Sequence, residues 1–440
     1  MAQRADRPRS RRAGRTACWR EDAVTAAPNP PLSPPWLQEP ATQRLIAALN
    51  AADVAARFVG GIVRDTLLDP SVEPAAASDI DLATPARPEQ VSEALISAGI
   101  KVVPTGLTHG TVTAIVPPRH FEITTLRRDV ETDGRHARVA FDADWEADAR
   151  RRDFTINALY LAPDGTLHDP VGGLPDLRAG RVRFVGDPAQ RIAEDVLRLL
   201  RYYRFEARFG SGAGDPPARA ACRAAVPLLP TLSAERVAQE LIKLLQARDP
   251  SRAVRMMQED GVLAAILPEA ARLDRLQRLI ALEPEPDALR RLAALITVDC
   301  AGAAEIGRRL RFSTEWRDRL AGLAAPSPLD PAGDTRAQRR SLYRVGADRY
   351  CDLVLLAAAE NRLGEDRLRQ LLDLARRWRT PGFPIGGRDV TALGIAPGPR
   401  VGALLQAVQS WWEDGDFAAD RDACLARLSE LADAGMPRSP

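Results

Sequence analysis

Two aspartates one residue apart stand in the run Ser78-Asp79-Ile80-Asp81-Leu82-Ala83-Thr84. In a strand, residues two apart face the same side, so Asp79 and Asp81 project together while Ile80 and Leu82 enter the core. Two ionised carboxylates side by side repel unless a cation lies between them. Hard divalent ions such as Mg²⁺ take oxygen ligands and complete their shell with substrate phosphate. The same spacing also describes an ordinary solvent-facing strand. Phe121-Glu122-Ile123-Thr124 repeats the alternation. If its strand neighbours the first, Glu122 is a third carboxylate; otherwise it is a surface glutamate on a half-buried strand.

Upstream stands Val59-Gly60-Gly61-Ile62-Val63-Arg64-Asp65. A glycine pair between a strand and a helix lets backbone N–H groups approach an anion, and a helix N-terminus favours negative charge. Arg64, one turn in, is placed to reach the same phosphate. Gly386-Gly387-Arg388-Asp389 is a similar phrase with no such strand after it, so the company of the DxD strand is what distinguishes the first. Arg151-Arg152-Asp153-Phe154-Thr155-Ile156-Asn157 then puts a basic pair and a carboxylate at a turn.

Asp187 as N-cap and Pro188 at the first helical position open a long helix through about Phe205. Ile192, Val196, Leu199, Leu200 and Tyr203 form its apolar stripe. Residues three apart on a helix lie about 60° apart around the axis, so Asp195 and Arg198 point into one cleft. Arg201 lies further round, and Arg204 falls nearly opposite Asp195. The Asp–Arg pair reads either as an i,i+3 ion pair on a solvated face or, given a base in the cleft, as a template. Aspartate accepts hydrogen bonds and arginine donates them. Cytosine and adenine each present an exocyclic amine beside a ring-nitrogen acceptor and satisfy both. Guanine and uracil present the reverse, and each unpaired polar group costs about 1–3 kcal/mol.

The elements that must hold these residues are of two kinds. Residues 57–185 carry short β-type runs at 57–59, 80–83, 112–116, 121–125 and 158–162, with helical text such as 88–98 between them. Past Asp187 the pattern is helical almost to the end. The fold class is therefore α+β, a small sheet domain followed by helical ones. Pro28, Pro30, Pro31, Pro34, Pro35 and Pro40 predict an extended linker after an arginine-rich start. The 440 residues are 45% hydrophobic and 27% charged, which excludes wholesale disorder. At roughly 150 residues per domain they suggest two to four domains. No run approaches the roughly 20 apolar residues of a membrane span. The net charge of +2 says little about partners, and only Lys101 and Lys243 are lysines. Five scattered cysteines form no CxxC pair, and four histidines are too few and too spread for a metal cluster. The chain reads as cytoplasmic, with no membrane association and no obligate protein partner.

Taken in this order, the motifs resemble the class II tRNA nucleotidyltransferase family, the CCA-adding enzymes, which share a catalytic head with bacterial poly(A) polymerases. The matches are Gly60-Gly61 with Arg64, Asp79-Ile80-Asp81, residues 121–127, residues 151–157, Asp169-Pro170 with Gly172-Gly173, and Glu194-Asp195 with Arg198 and Arg201. The arginine- and proline-rich residues 1–40 read as a disordered extension, and the resemblance implies a mixed-sheet nucleotidyltransferase head over 41–186 and a helical neck with the base-recognition helix over 187–255. A helical, tRNA-binding body over 256–380 and a small helical tail over 381–440 follow.

It further implies that Asp79 and Asp81 hold two Mg²⁺ ions, with Glu122 as third carboxylate. Gly61 and Arg64 would contact the triphosphate, and Arg152 with Asp153 the ribose region. Asp195 and Arg198 would be the base template, and Arg201 and Arg204 would complete the nucleotide-binding set. Residues 132–136, with Asp133 and Arg135, resemble the family's flexible loop. The implied reaction adds C, C and A to the tRNA 3′ acceptor end from CTP and ATP with release of pyrophosphate. The rivals are a poly(A) polymerase or A-adding-only enzyme and, remotely, a non-catalytic RNA-binding protein; the last predicts loss of the carboxylates, and all three stand. Arginine-rich helices after residue 250 either grip tRNA phosphates by counterion release or pair with their acidic neighbours.

Overall fold

The computed structural model describes residues 31–74, 79–106, 110–133, 136–141, 144–326 and 329–434. Its contacts divide the chain into two compact units, residues 1–231 and 232–440. Among the described residues the first unit holds nine strands: β1 (Arg57–Val59), β2 (Ile80–Thr84), β3 (Lys101–Gly106), β4 (Thr111–Val116), β5 (Arg119–Thr125), β6 (Arg127–Asp133), β7 (His136–Phe141), β8 (Tyr160–Leu161) and β9 (Leu167–His168). Seven make one sheet in the order β3-β4-β5-β2-β1-β8-β9, and β6 and β7 form a separate ribbon. β2 and β5 run parallel; every other pairing is antiparallel. Alternation sends Ile80, Leu82, Phe121 and Ile123 into the core, where α1 (Pro40–Ala51) and α3 (Pro88–Ser97) pack against the sheet. Between them in sequence, α2 (Gly61–Leu68) leaves the glycine pair.

Two expectations require correction. Residues 1–30 of the expected extension lie outside the described residues, but 31–40 are not a loose linker. Pro35–Gln38 form a turn of 3₁₀-helix, and Pro40 starts α1 rather than blocking it, since proline is tolerated at a first helical position. Trp36 is fully buried, edge-on to Phe58 at 5.0 Å, and its indole N–H donates to Thr66 Oγ1 of α2 at 2.9 Å. Nor is the stretch after Asp187 one helix. α4 (Trp145–Arg151) and α5 (Gly173–Arg178) precede α6 (Pro188–Glu194), and α7 (Leu197–Phe209) starts anew. Asp195 between them is extended (φ −152°, ψ 107°), and its Oδ1 accepts from the backbone N–H of Leu197 at 3.1 Å. Aspartate competes for backbone hydrogen bonds in this way, which favours caps over helix interiors.

Phe154, Phe184, Tyr202 and Phe205 form an aromatic cluster with ring centroids 4.8–6.4 Å apart. It fastens α7 to the sheet region, so α6, α7 and α8 (Pro216–Ala225) belong to the first unit and no division falls at 186/187. The second unit is helical from α9 (Ala234–Leu245) to the helix Arg421–Asp433. Buried Arg291 donates there to the carbonyl of Leu245, which α9 leaves open at its end, at 2.6 Å, and to that of Arg248 beyond the helix, at 3.0 Å. Near the chain end, Ile385, Val390, Leu404, Val408, Trp412, Cys424 and Leu428 form a core of their own. Among the described residues no helix is long and apolar enough to cross a membrane.

Trp36→Ala should lower stability by about 3–5 kcal/mol in urea unfolding. Trp36→Phe, which keeps most of the packing and loses the bond to Thr66, should lower it by less.

Candidate active site

Register decides the first half of the site. The parallel pairing of β2 with β5 sets Asp81 opposite Glu122 and Ile80 opposite Phe121. Partners across such a pair project to the same face, so Asp81 and Glu122 lie side by side while Ile80 and Phe121 enter the core. Asp79, one residue before β2, continues on their face; its Oδ1 is 3.7 Å from Nδ1 of exposed His120. Gly60 turns the chain from β1 into α2 with φ 76° and ψ −130°, a conformation for glycine alone. A Cβ there would stand 3.6 Å from Asp81 Oδ2, so the turn and the carboxylate are neighbours.

Asp81 is accessible to water yet seated deeply enough that desolvation, joined by Glu122 and Asp79 and partly opposed by Arg152, pushes its pKa up to about 6. Burial, then Asp79, also raises Glu122. Among the described residues no three acidic, His or Cys side chains are already gathered to metal-holding distance. The donor set nevertheless fits a hard divalent cation. It is all oxygen, its members repel one another, and its open side leaves room for phosphate oxygens to complete a shell.

The second half is a hydrogen-bonded chain joining α2 to α7. Buried Arg64 donates to Asn157 Oδ1 at 2.6 Å and to Asp65 at 2.8 Å, and its guanidinium stacks on Phe209, 4.0 Å from the ring centre. Its Nη2 lies 3.7 Å from where a Cβ on Gly61 would be, so it is beside the glycine turn. Asn157 donates to Asp153 Oδ1 at 3.0 Å, and Arg201 Nε donates to Asp153 Oδ2 at 2.8 Å. Burial alone would raise the Asp153 pKa, but Arg201, Asn157 and the Phe154 N–H outweigh it and hold it low.

The break before α7 changes the geometry expected of Asp195 and Arg198, because the 60° spacing does not run through an extended residue. Arg198 is instead bound to Glu194 and to the carbonyls of Arg191, at 3.0 Å, and Arg151, at 3.4 Å. Arg198 lies in the first turn of α7 and Asp195 just before it. Arg204, two turns along, has its guanidinium 4.6 Å from the Phe205 ring centre.

Residues 56–183 match the family described as Poly A polymerase head domain, and 215–273 the one described as Probable RNA and SrmB- binding site of polymerase A. The chain is 35% identical over 393 residues to CCA tRNA nucleotidyltransferase 1, mitochondrial, of Mus musculus, covering 85% of this chain and 86% of the relative. It belongs to the class II CCA-adding enzyme family. A CCA-adding enzyme of Levilactobacillus brevis is 29% identical over 399 residues, 88% of this chain and 96% of its own. The crystal structure of the Bacillus stearothermophilus CCA-adding enzyme in complex with CTP superposes with a TM-score of 0.74 at 28% identity, covering 90% of this chain and 99% of that one.

In this CCA-adding enzyme the structure adds residues that the motifs did not single out. Asp148, 1% exposed, accepts from Arg151 Nε at 2.8 Å, Arg152 Nε at 3.1 Å and the Tyr160 hydroxyl at 2.7 Å. Burial works against its charge, but Arg152, Arg151 and Tyr160 together lower its pKa. Arg152 is thereby anchored near Asp81, whose raised pKa it partly opposes. The i,i+3 and i,i+4 spacing of Asp148 to the two arginines was a usable signal; the partnership with Tyr160 was not. His120 was hidden likewise until register brought it in, whereas Asn157 stood in the 151–157 motif without an assigned role. Asp133 closes β6 opposite His136 in the ribbon, whereas Arg135 and residues 107–109 lie outside the described residues.

A carboxyl whose folded pKa lies above its unfolded value, here about 6 against about 4, weakens the fold as pH rises through that window. Asp81→Asn should therefore stabilise the metal-free protein at pH 8 and not at pH 4, seen as a melting-temperature difference, while abolishing nucleotide incorporation. Asp148→Asn removes the charge facing two guanidiniums and should lower stability by about 3 kcal/mol and raise the KM for nucleotide. Denaturant unfolding and steady-state kinetics check the two effects.

Proposed function

We propose that this enzyme adds C, C and A to the 3′ end of tRNA from CTP and ATP, with Mg²⁺ as its divalent ion. The observation that carries the reading is the side-by-side placement of Asp81 and Glu122, with Asp79 on their face and the glycine turn against Asp81. Asp79 and Asp81 would hold two metal ions, and Glu122 would add a third carboxylate on the same face. When bound, one ion would lower the pKa of the tRNA 3′-hydroxyl and the other would neutralise the leaving pyrophosphate. The chain's own work is to orient and to select. Gly61 and Arg64, at the start of α2, and Arg152, held by Asp148, would face the triphosphate and ribose side. Asp153 keeps Arg201 and, through Asn157, Arg64 in one frame.

Base choice rests on donor polarity. Asp195 offers acceptors and Arg198 donors, a set that satisfies cytosine and adenine and leaves guanine and uracil unpaired. Glu194 and the Arg191 and Arg151 carbonyls hold the Arg198 guanidinium in place before a base arrives. Arg201 and Arg204 would complete the nucleotide-binding set. Asp133 and Arg135 would serve the change from C to A. The four described cysteines are all free, which suits the reducing cytoplasm as the compartment.

Purified enzyme incubated with tRNA ending at its discriminator base, Mg²⁺ and each labelled nucleotide should extend it by C, C and A and stop. A long adenylate tail or a single A would identify the poly(A) or A-only chemistry instead. Arg198→Ala should reduce C and A incorporation by roughly 100-fold, as expected for loss of about 3 kcal/mol of hydrogen bonding to a charged group. Undiminished rates with intact discrimination would remove the template role.

A further inference from the structure

In the second unit a cavity of about 270 Å³ opens beside the helices Leu273–Leu282 and Ala347–Ala359. Leu323, Leu353 and Leu356 form an apolar wall, and Arg272, Arg275 and Arg362 share its rim with Glu360. The three guanidiniums lie 3.8, 3.2 and 3.9 Å from the Glu360 carboxylate. Only the Arg275 contact is close. Arg272 and Arg362 sit at the outer limit of ion-pair distance, with 41% and 49% of their side chains exposed.

Part of this cluster serves the fold. Arg278 Nε donates to the Ala359 carbonyl at 2.6 Å, and positive charge at a helix C-terminus is favourable. That accounts for Arg278 and for Arg275 against Glu360, and it leaves the two exposed arginines beyond what one carboxylate neutralises. Arg275, 12% exposed, has a buried Nε with no hydrogen-bond partner. Burial lowers its pKa, Glu360 opposes this, and Arg272 and Arg278 lower it further. The rim is thus an excess of positive charge backed by hydrocarbon. Arg272 also falls within residues 215–273, the segment matching an RNA-binding family.

We propose that this pocket is a phosphate-binding site for the RNA substrate, in which Arg272 and Arg362 grip one backbone phosphate while the leucine wall takes the adjoining sugar. Glu360 then competes with the phosphate for the same guanidiniums, so it tunes the affinity downward. The proposal rests on tRNA being the substrate, and the wild-type enzyme tests that premise first: without extension of tRNA the premise falls, and the pocket's role with it.

Given wild-type extension, the full-length double variant Arg272→Gln/Arg362→Gln should raise the KM for tRNA about tenfold at ~0.15 M salt and flatten the salt dependence of tRNA binding by about one to two charges. Its kcat at saturating tRNA and its KM for CTP and ATP should not change. Glu360→Gln should act in the opposite direction, lowering the KM for tRNA several-fold. If Glu360→Gln instead raises the KM together with the double variant, the cluster is only a structural ion-pair network and the proposal fails. A change in KM for CTP or ATP with tRNA binding intact would mean a free nucleotide phosphate occupies the pocket, which also overturns it. Unchanged tRNA parameters in both variants would do the same.

Discussion

The repulsion between Asp81 and Glu122 is the interaction on which the head is organised. A parallel register fixes them opposite each other, and the buried Ile80, Leu82, Phe121 and Ile123 on the other face keep that register from slipping. The core therefore enforces what electrostatics alone would undo. Burial first, then the neighbouring carboxylates, raises the pKa of both: Glu122 and Asp79 act on Asp81, and Asp79 acts on Glu122. An arrangement unfavourable by itself and relieved by a cation beside phosphate is typical of sites that trade stability for function.

Around this pair, the other charged groups are balanced rather than strained. Asp148 answers Arg151 and Arg152, Asp153 answers Arg201, and Asn157 passes the connection on to Arg64. Each buried charge meets an opposite charge or a hydrogen bond, as burial requires. The consequence is a contrast within one site. The carboxylates are only partly offset, by Arg152, and the arginines are already aimed, so an incoming nucleotide and its metal would complete the first without having to order the second.

Much of this was legible in the sequence. Alternation gave β2 and β5 and the inward Phe121 and Ile123, and the glycine pair with its following helix marked the turn beside Asp81. The break at Asp195 was not legible, because the apolar stripe from Ile192 to Tyr203 keeps helical spacing across it while the backbone does not. Aspartate is compatible with either a helix interior or a cap, and only the hydrogen bond to the Leu197 N–H decides. The partner of Arg198 was misjudged for the same reason: Glu194, still on α6, reaches it. Asp148 and Tyr160 meet across twelve residues of chain, and no local pattern announces such a meeting.

The seating of Trp36 sets where this body can be trimmed. Prolines up to Pro40 suggest a clean cut just before α1, but the indole lies between Phe58 of β1 and Thr66 of α2. A shortened chain beginning at residue 41 would lose the wedge beneath the very helix that starts at the glycine pair. One beginning at residue 31 would keep it, together with the Leu32 N–H bond to the Gly165 carbonyl.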